Sequence, residues 1–235
     1  MDNILKQIRQ ELQANIDEKT ISNSQKFFRE SIMFYGVKVV TVTKISKKYF
    51  SLIKGQPKNA IFSLCEQLFQ SGYLEESFIA CNLSYYLHEQ YEETDFALFA
   101  NWLEKYISNW ASCDTLCNHT IGTFIEMYPQ YVKKLIKWAD SPNRWVKRGA
   151  AVTLIIPARK GLFLPEIFSI ADKLLLDKDD LVQKGYGWLL KATSEAQQKA
   201  VFDFVMKNKQ IMPRTSLRYA IEKMPKELKA QAMAK

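Results

Sequence analysis

Apolar residues recur along most of the chain at positions i, i+3, i+4 and i+7, the spacing that places side chains on one face of an α-helix. Residues 58–69 and 93–107 both follow this spacing. The stripes consist of Ala60, Ile61, Leu64 and Leu68 in the first segment and Phe96, Phe99, Leu103 and Tyr106 in the second. Short turns separate such stretches, and the prolines lie between them. The pattern therefore predicts a succession of helices with almost no strand.

One segment departs from this pattern. Gly36 is followed by Val37–Val42, in which valine alternates with lysine and threonine as in a strand. Because it is short and lies between helical patterns, we interpret it as an extended connector.

A repeat is visible in the second half of the sequence. The stretch that begins at Trp145 (WVKRGAA) aligns with the one that begins at Leu181 (LVQKGYG), 36 positions later. A period of about 35 residues accommodates one antiparallel helix pair with its turns. Small residues recur in phase and would allow close helix packing: Gly149, Ala150, Gly185 and Ala220. The sequence predicts an all-α fold: a single domain of residues 1–235, a HEAT-like helical repeat solenoid (α-α superhelix) with a concave face.

Composition and charge narrow the class of protein. The 235 residues include 33 Lys and Arg against 25 Asp and Glu, a net charge of +8. No window is apolar enough to span a membrane, and residues 1–20 lack the apolar core of a signal peptide. The four cysteines are too few for a disulfide scaffold. We therefore expect a cytoplasmic monomer, associated with the nucleoid if the source is bacterial, that attracts a polyanion.

Cations concentrate in the later repeats, where few acids interrupt them. They are Arg144, Lys147, Arg148, Arg159, Lys160, Lys184, Lys191, Arg214, Arg218 and Lys223. Because they recur at a similar phase of the repeat, their side chains would align on one basic face that can follow a phosphate backbone. The alternative is that they are ordinary solvated positions on helix surfaces.

Trp110 and Asp114 are four residues apart and would share one face of a helix. A carboxylate there is either a helix cap or a catalytic group. Cleavage of an N-glycosidic bond develops positive charge on the sugar, which a fixed carboxylate and an indole face stabilise. Tryptophans at helical spacing are usually core residues, an interpretation that suits Trp145 and leaves Trp110 and Trp188 open.

Three motifs give the chain its resemblance to a known family. They are Trp110-Ala-Ser-Cys-Asp114, Asn143-Arg-Trp-Val-Lys-Arg148, and Val182-Gln-Lys-Gly-Tyr-Gly-Trp188 with Lys191. These motifs occur in the order found in the AlkD-like DNA alkylation repair glycosylases, which are HEAT-like solenoids. The chain resembles this family over roughly residues 20–225. The resemblance implies that Asp114 is the catalytic carboxylate, that Trp110 and Trp188 contact the deoxyribose, and that Arg148 contacts DNA.

The resemblance also implies a reaction: excision of cationic alkylated purines, such as 3-methyladenine and 7-methylguanine, from double-stranded DNA, without metal or cofactor. Phosphate contacts would come from Arg148 and Lys191, with Lys147, Lys184, Arg214 and Arg218. Three positions depart from the family pattern. Lys191 stands where the family can have arginine, Phe27 where it has a site tyrosine, and Val40 where it can have proline. These changes put the rate and the lesion range in question.

Other functions remain as alternatives. The same scaffold without catalysis could bind damaged or branched DNA, or it could hold a protein partner. Cys113, Cys117 and His119 do not predict a zinc site, because no fourth ligand is evident. Cysteine nucleophile chemistry also lacks a paired base, because His119 and Cys117 point to different sides of a helix.

Overall fold

The computed structural model describes residues 1–28 and 31–234, with the side chains of residues 23–27 left out. Within this part of the chain the structure is helical and contains no strand, apart from one isolated bridge between Met33 and Tyr73. The prediction of an all-α fold is therefore confirmed. None of the described helices is both long and apolar enough to cross a membrane.

The contacts divide the chain into two compact units, Met1–Thr120 and Ile121–Lys235. The first contains α1 (Asp2–Ala14), α2 (Glu18–Phe27), α3 (Val39–Ile53), α4 (Lys58–Gln70), α5 (Leu74–Tyr86), α6 (Asp95–Tyr106) and α7 (Trp110–Thr115). A π-helix, Leu116–Ile121, follows α7. The second unit contains α8 (Gly122–Met127), α9 (Val132–Trp138), α10 (Arg144–Val152), α11 (Ile155–Arg159), α12 (Leu164–Leu174), α13 (Asp180–Ala196), α14 (Gln198–Asn208), α15 (Arg214–Ala220) and α16 (Lys226–Met233). Short 3-10 turns occur at His88–Gln90 and Pro129–Tyr131.

The expected extended connector is shorter than predicted. Only Val37 and Lys38 precede the helix, and α3 begins at Val39, so the prediction is wrong for Val39–Val42. The reason is that the apolar spacing of α3 already begins at Val42, which is buried together with Ile45. Burial of this helical stripe overrides the local preference of alternating β-branched residues for a strand.

Aromatic side chains fill the core of the first unit. Phe62 meets Trp102 edge to face with 5.6 Å between ring centroids, and Phe69 lies 5.3 Å from the same indole. Trp102 and Phe69 are fully buried. Such pairs add to the stabilisation that comes from the buried apolar area alone. These rings fix α4 and α6, and α4 in turn packs against α5.

The second unit is organised around α13, which contacts α10, α11, α12, α14 and α15. Gly187 marks its closest approach to α15. A Cβ atom at Gly187 would lie 2.8 Å from Cβ of Tyr219 and 3.0 Å from the backbone of Ser216. A side chain would thus force the two helices apart. This close approach requires Gly187, whereas Gly185, the small residue of the repeat in α13, faces Arg148 and Val152 of α10.

Ion pairs join residues about one repeat apart in sequence. Arg144 pairs with Asp179, 35 positions away, and Lys160 pairs with Glu126, 34 positions away. Other pairs at similar separations include Lys48–Glu11, Lys58–Glu92, Lys58–Asp95, Lys147–Asp177, Arg159–Glu195, Lys173–Asp140 and Lys191–Glu222. The period of about 35 that the sequence predicts therefore appears within each unit as ion pairs between residues about one repeat apart.

Candidate functional site

The candidate site residues divide between the two units. Trp110 and Asp114 lie on α7 of the first unit. The cations and Trp188 lie on α10, α13 and α15 of the second unit. Each of these two sets of residues is positioned by the helices of its own unit.

The helix α7 begins at Trp110 because Asn109 caps it. The Oδ1 atom of Asn109 accepts a hydrogen bond of 2.9 Å from the backbone N–H of Ser112. Asp114 is the fifth residue of α7, so it is neither the cap nor part of the first turn. The cap interpretation of Asp114 is therefore wrong, and the position of this carboxylate is not explained by helix capping.

Trp110 and Asp114 are one turn apart on α7, and both side chains are half-buried. The ring of Phe28 stacks on Trp110, with 5.6 Å between centroids and an angle of 27° between the planes. This contact holds the indole in a defined orientation. Phe27 ends α2, and its side chain lies outside the described residues. Sequence reasoning missed Phe28, although it adjoins the aligned position.

The π-helix Leu116–Ile121 comes directly after this pair. A π-helix adds one residue to a helical turn, and this rare element frequently occurs at functional sites. Leu116 and Cys117 are fully buried within it, and Cys113 is fully buried on α7. The Nδ2 atom of Asn118 donates a 3.0 Å hydrogen bond to the backbone carbonyl of Asp114. Both cysteines thus serve as core residues beside the site. Among the described residues, no cluster of His, Cys, Asp and Glu could hold a metal ion.

A buried acidic pair anchors residues 35–37, which lie shortly before α3. Glu75 accepts hydrogen bonds from the backbone N–H groups of three consecutive residues, Tyr35, Gly36 and Val37. The neighbouring Glu76 accepts a bidentate pair from Arg9 and a 2.7 Å bond from the hydroxyl of Tyr35.

Glu76 also contributes to the pKa shifts of its two partners. Burial, followed by the hydrogen bond to Glu76, raises the pKa of Tyr35 above its usual value. The hydrogen bond to Glu76 also raises the pKa of Arg9. The sequence offered only two adjacent acids in the first turn of a helix, so this role was not apparent.

Arg148 is almost completely buried, with 5% of the residue exposed. Its guanidinium donates to the backbone carbonyl of Leu181 in the first turn of α13. Its aliphatic stem packs against Gly185, where an added Cβ would lie 3.3 Å from Cγ of Arg148. Arg148 therefore joins α10 to α13, a structural role that the sequence did not indicate.

Three other expected phosphate contacts also have partners within the second unit. Lys147 pairs with Asp177, and Lys184 pairs with Asp180 at 2.6 Å. Lys191 pairs with Glu222 at 3.1 Å and lies over the ring of Tyr219. Acids thus accompany these cations. Those of Lys147 and Lys191 come from about one repeat later in sequence, which a local search overlooks.

Arg214 and Arg218 differ from these lysines. Both are exposed on α15, and within the described part of the chain neither forms an ion pair. Trp188 lies on α13, one residue after the tightly packed Gly187, and is half-buried. Trp145 is buried, with 8% exposed, which confirms its assignment to the core.

Comparison with known proteins identifies a family that matches most of this chain. The family model described as "DNA alkylation repair enzyme" matches residues 8–224. A solved structure, the "Predicted DNA alkylation repair enzyme from Enterococcus faecalis", superposes with a TM-score of 0.81 at 14% sequence identity. The superposition covers 90% of this chain and 98% of that chain. At 14% identity, this structural similarity shows that the two chains share a fold. A comparison with curated proteins finds no match.

Proposed function

Because the chain belongs to the DNA alkylation repair enzyme family, we propose that it acts as an N-glycosylase that removes cationic alkylated purines from duplex DNA. The observation that carries the proposal is the pairing of Trp110 with Asp114 on one face of α7. The carboxylate is not engaged in capping this helix. A helix presenting an acid and an indole on one face suits a reaction that develops positive charge on a sugar.

The proposed reaction needs little acid catalysis from the protein. A purine methylated on a ring nitrogen such as N3 or N7 is already cationic, so its bond to the sugar breaks without a strong general acid. In the proposed mechanism, the carboxylate of Asp114 stabilises the oxocarbenium-like sugar and orients the attacking water. Trp110, held by Phe28, and Trp188 would pack against the sugar of the lesion.

Duplex binding is the second part of the proposal. The cations of the second unit would neutralise phosphates, and Arg214 and Arg218 are the most available because they are exposed. Lys147, Lys184 and Lys191 would first have to leave their carboxylate partners. Arg148 would contribute chiefly by positioning α10 and α13, because it is buried.

The test is release of free 7-methylguanine from duplex DNA in single-turnover reactions. We expect wild type to release the base and Asp114→Asn to do so at least about a hundredfold more slowly, the usual loss when one charge-stabilising group is removed. Asp172→Asn is the control, because Asp172 is an exposed acid on α12.

Two results would decide against this proposal. Equal rates of base release by the Asp114→Asn and Asp172→Asn variants would show that Asp114 has no role in catalysis. Absence of base release by wild type, together with salt-sensitive duplex binding, would favour a DNA-binding protein without glycosylase activity.

A further inference from the structure

A second aromatic and basic surface lies in the first unit, and its lining includes none of the residues assigned to base excision. A groove of about 360 Å³ runs between the C-terminal halves of α3 and α5. Its lining consists of Lys47, Phe50, Ser51, Lys54, Tyr85, Tyr86 and His88. We call it the α3–α5 groove.

Aromatic rings form the floor of the α3–α5 groove, and they contact one another. Tyr85 stacks on His88, with 5.2 Å between centroids and 16° between planes, and lies 5.3 Å from the ring of His119. Phe50 meets Tyr86 at 5.2 Å. All four groove rings are half-buried, so each keeps part of its surface towards solvent. These mutual contacts reduce the freedom of the rings and prepare a surface for another planar group.

Lysines line one side of the α3–α5 groove. Lys44, Lys47, Ser51 and Lys54 are spaced by three, four and three residues, which aligns them along one face of α3 and its C-cap. All are exposed, and among the described residues none of these three lysines forms an ion pair. The helix contains no acid. This contrasts with the rest of the first unit, where acids outnumber Lys and Arg.

We propose that the α3–α5 groove binds an unpaired segment of a DNA strand, with a base against the aromatic floor and the flanking phosphates on Lys47 and Lys54. Aromatic side chains beside a row of cations are the combination that single-stranded nucleic acid requires. The bases of an intact duplex already stack on one another, so their faces are not accessible to such a floor. The groove goes beyond base excision, because it would bind a strand opened by a lesion or a branch.

The two histidines give the groove a selective probe. The chain contains only His88 and His119, and both contact Tyr85. The Nδ1–H of His88 donates to the carbonyl of Tyr85 at 2.9 Å, which fixes its ring against the tyrosine. A base stacked in the groove would shift the imidazole signals of His88 through its ring current. Histidine-selective NMR of the full chain, titrated with a thymidylate pentamer, measures this directly.

Three variants test the groove by affinity for a labelled thymidylate 12-mer. Tyr86→Leu keeps an apolar side chain against Phe50 and removes the aromatic plane, and we expect about tenfold weaker binding. Lys47→Gln with Lys54→Gln should flatten the slope of log affinity against log salt by about 1.4, or about 0.7 for each phosphate contact in a single strand. Lys6→Gln with Lys19→Gln is the matched control, because it removes the same charge from exposed positions of the same unit.

Several outcomes would overturn the proposal. These are unshifted His88 signals at saturating pentamer, equal affinities for the groove and control double variants, or a blunt duplex that shifts His88 as strongly as the pentamer. The outcomes are separate from those for base excision, which depend on free base released from duplex by the wild type. Either proposal can therefore fail while the other stands.

Discussion

The two units of the molecule differ in charge. Met1–Thr120 contains 12 Lys and Arg against 14 Asp and Glu, whereas Ile121–Lys235 contains 21 against 11. The positive charge of the whole chain therefore belongs to the second unit, while the proposed catalytic pair Trp110 and Asp114 lies in the first. Under the proposed function, electrostatic attraction for DNA and the chemistry on the base would thus come from different parts of the chain.

Net charge alone, however, misrepresents which cations are available. In the charged second unit, Lys147, Lys184 and Lys191 hold ion pairs, and Arg148 is buried. In the nearly neutral first unit, Lys44, Lys47 and Lys54 form no ion pair among the described residues, whereas Lys48 of the same helix pairs with Glu11. The comparison separates cations that stabilise the fold from cations that can bind phosphates. The predictions below test this separation.

The largest effect is expected at Arg148. Replacement by Ala would remove the hydrogen bond from the guanidinium to the carbonyl of Leu181 and open a cavity beside Gly185. We expect a loss of about 2–3 kcal/mol in the free energy of unfolding. Arg218→Ala should stay within about 0.5 kcal/mol, because Arg218 is exposed. Urea denaturation of both variants measures the difference. Similar midpoints for the two would show that burial does not distinguish these arginines.

A smaller effect is expected on duplex binding. Arg214→Gln with Arg218→Gln should weaken the affinity for duplex DNA by about tenfold and flatten its salt slope by about 1.8, or about 0.9 for each phosphate. Lys147→Gln should change the slope much less, because Lys147 already neutralises Asp177. Fluorescence anisotropy at several salt concentrations gives both values. A slope change from Lys147→Gln as large as one full phosphate contact would mean that DNA displaces Asp177.

The smallest effect is expected on the free energy of unfolding at low pH. The residues compared are one capping carboxylate from each unit, Asp17 and Asp179. Hydrogen bonds from the hydroxyl and backbone N–H of Thr20, and then from Lys38, lower the pKa of Asp17 to about 2. Burial would raise the pKa of Asp179, but hydrogen bonds from Arg144 and from backbone N–H groups outweigh it and lower the pKa. Such carboxylates contribute stability above their unfolded pKa of about 3.9, and this is lost as the pH falls through the folded value.

We therefore expect the free energy of unfolding to fall between about pH 4 and pH 2, and to fall less steeply in Asp17→Asn and in Asp179→Asn. Asparagine preserves the helix cap, so both variants should fold. Thermal unfolding across this pH range is the measurement, with Asp172→Asn as the unchanged reference. If the free energy of unfolding falls as steeply with acid in both capping variants as in Asp172→Asn, these two carboxylates do not cause the loss of stability.

Much of the fold followed from local patterns. The apolar stripe predicted over 58–69 corresponds to α4, and that over 93–107 to α6. The period of about 35 reappears in the ion pairs between successive helix pairs. The error at Val39–Val42 arose because alternation over a few residues does not reveal whether a longer buried stripe includes them.

The candidate site was less accessible to sequence reasoning. The pairing of Trp110 with Asp114 depends only on their spacing along a helix, so it could be predicted. The stacking of Phe28 on Trp110 could not, because these residues are far apart in sequence. The same is true of Glu75, whose three bonds to residues 35–37 join positions about 40 apart.

The sequence by itself determined the helices, their repeat and the identity of the charged and aromatic residues, because these follow from side-chain spacing and composition. The tertiary structure decided which of those residues are available. It buried Arg148, paired Lys147 with an acid about one repeat away, and left Lys47 and Lys54 beside an aromatic groove. The physical reason is that a side chain's partners depend on how helices stack, and contacts across some 35 residues are set by packing rather than by local propensity.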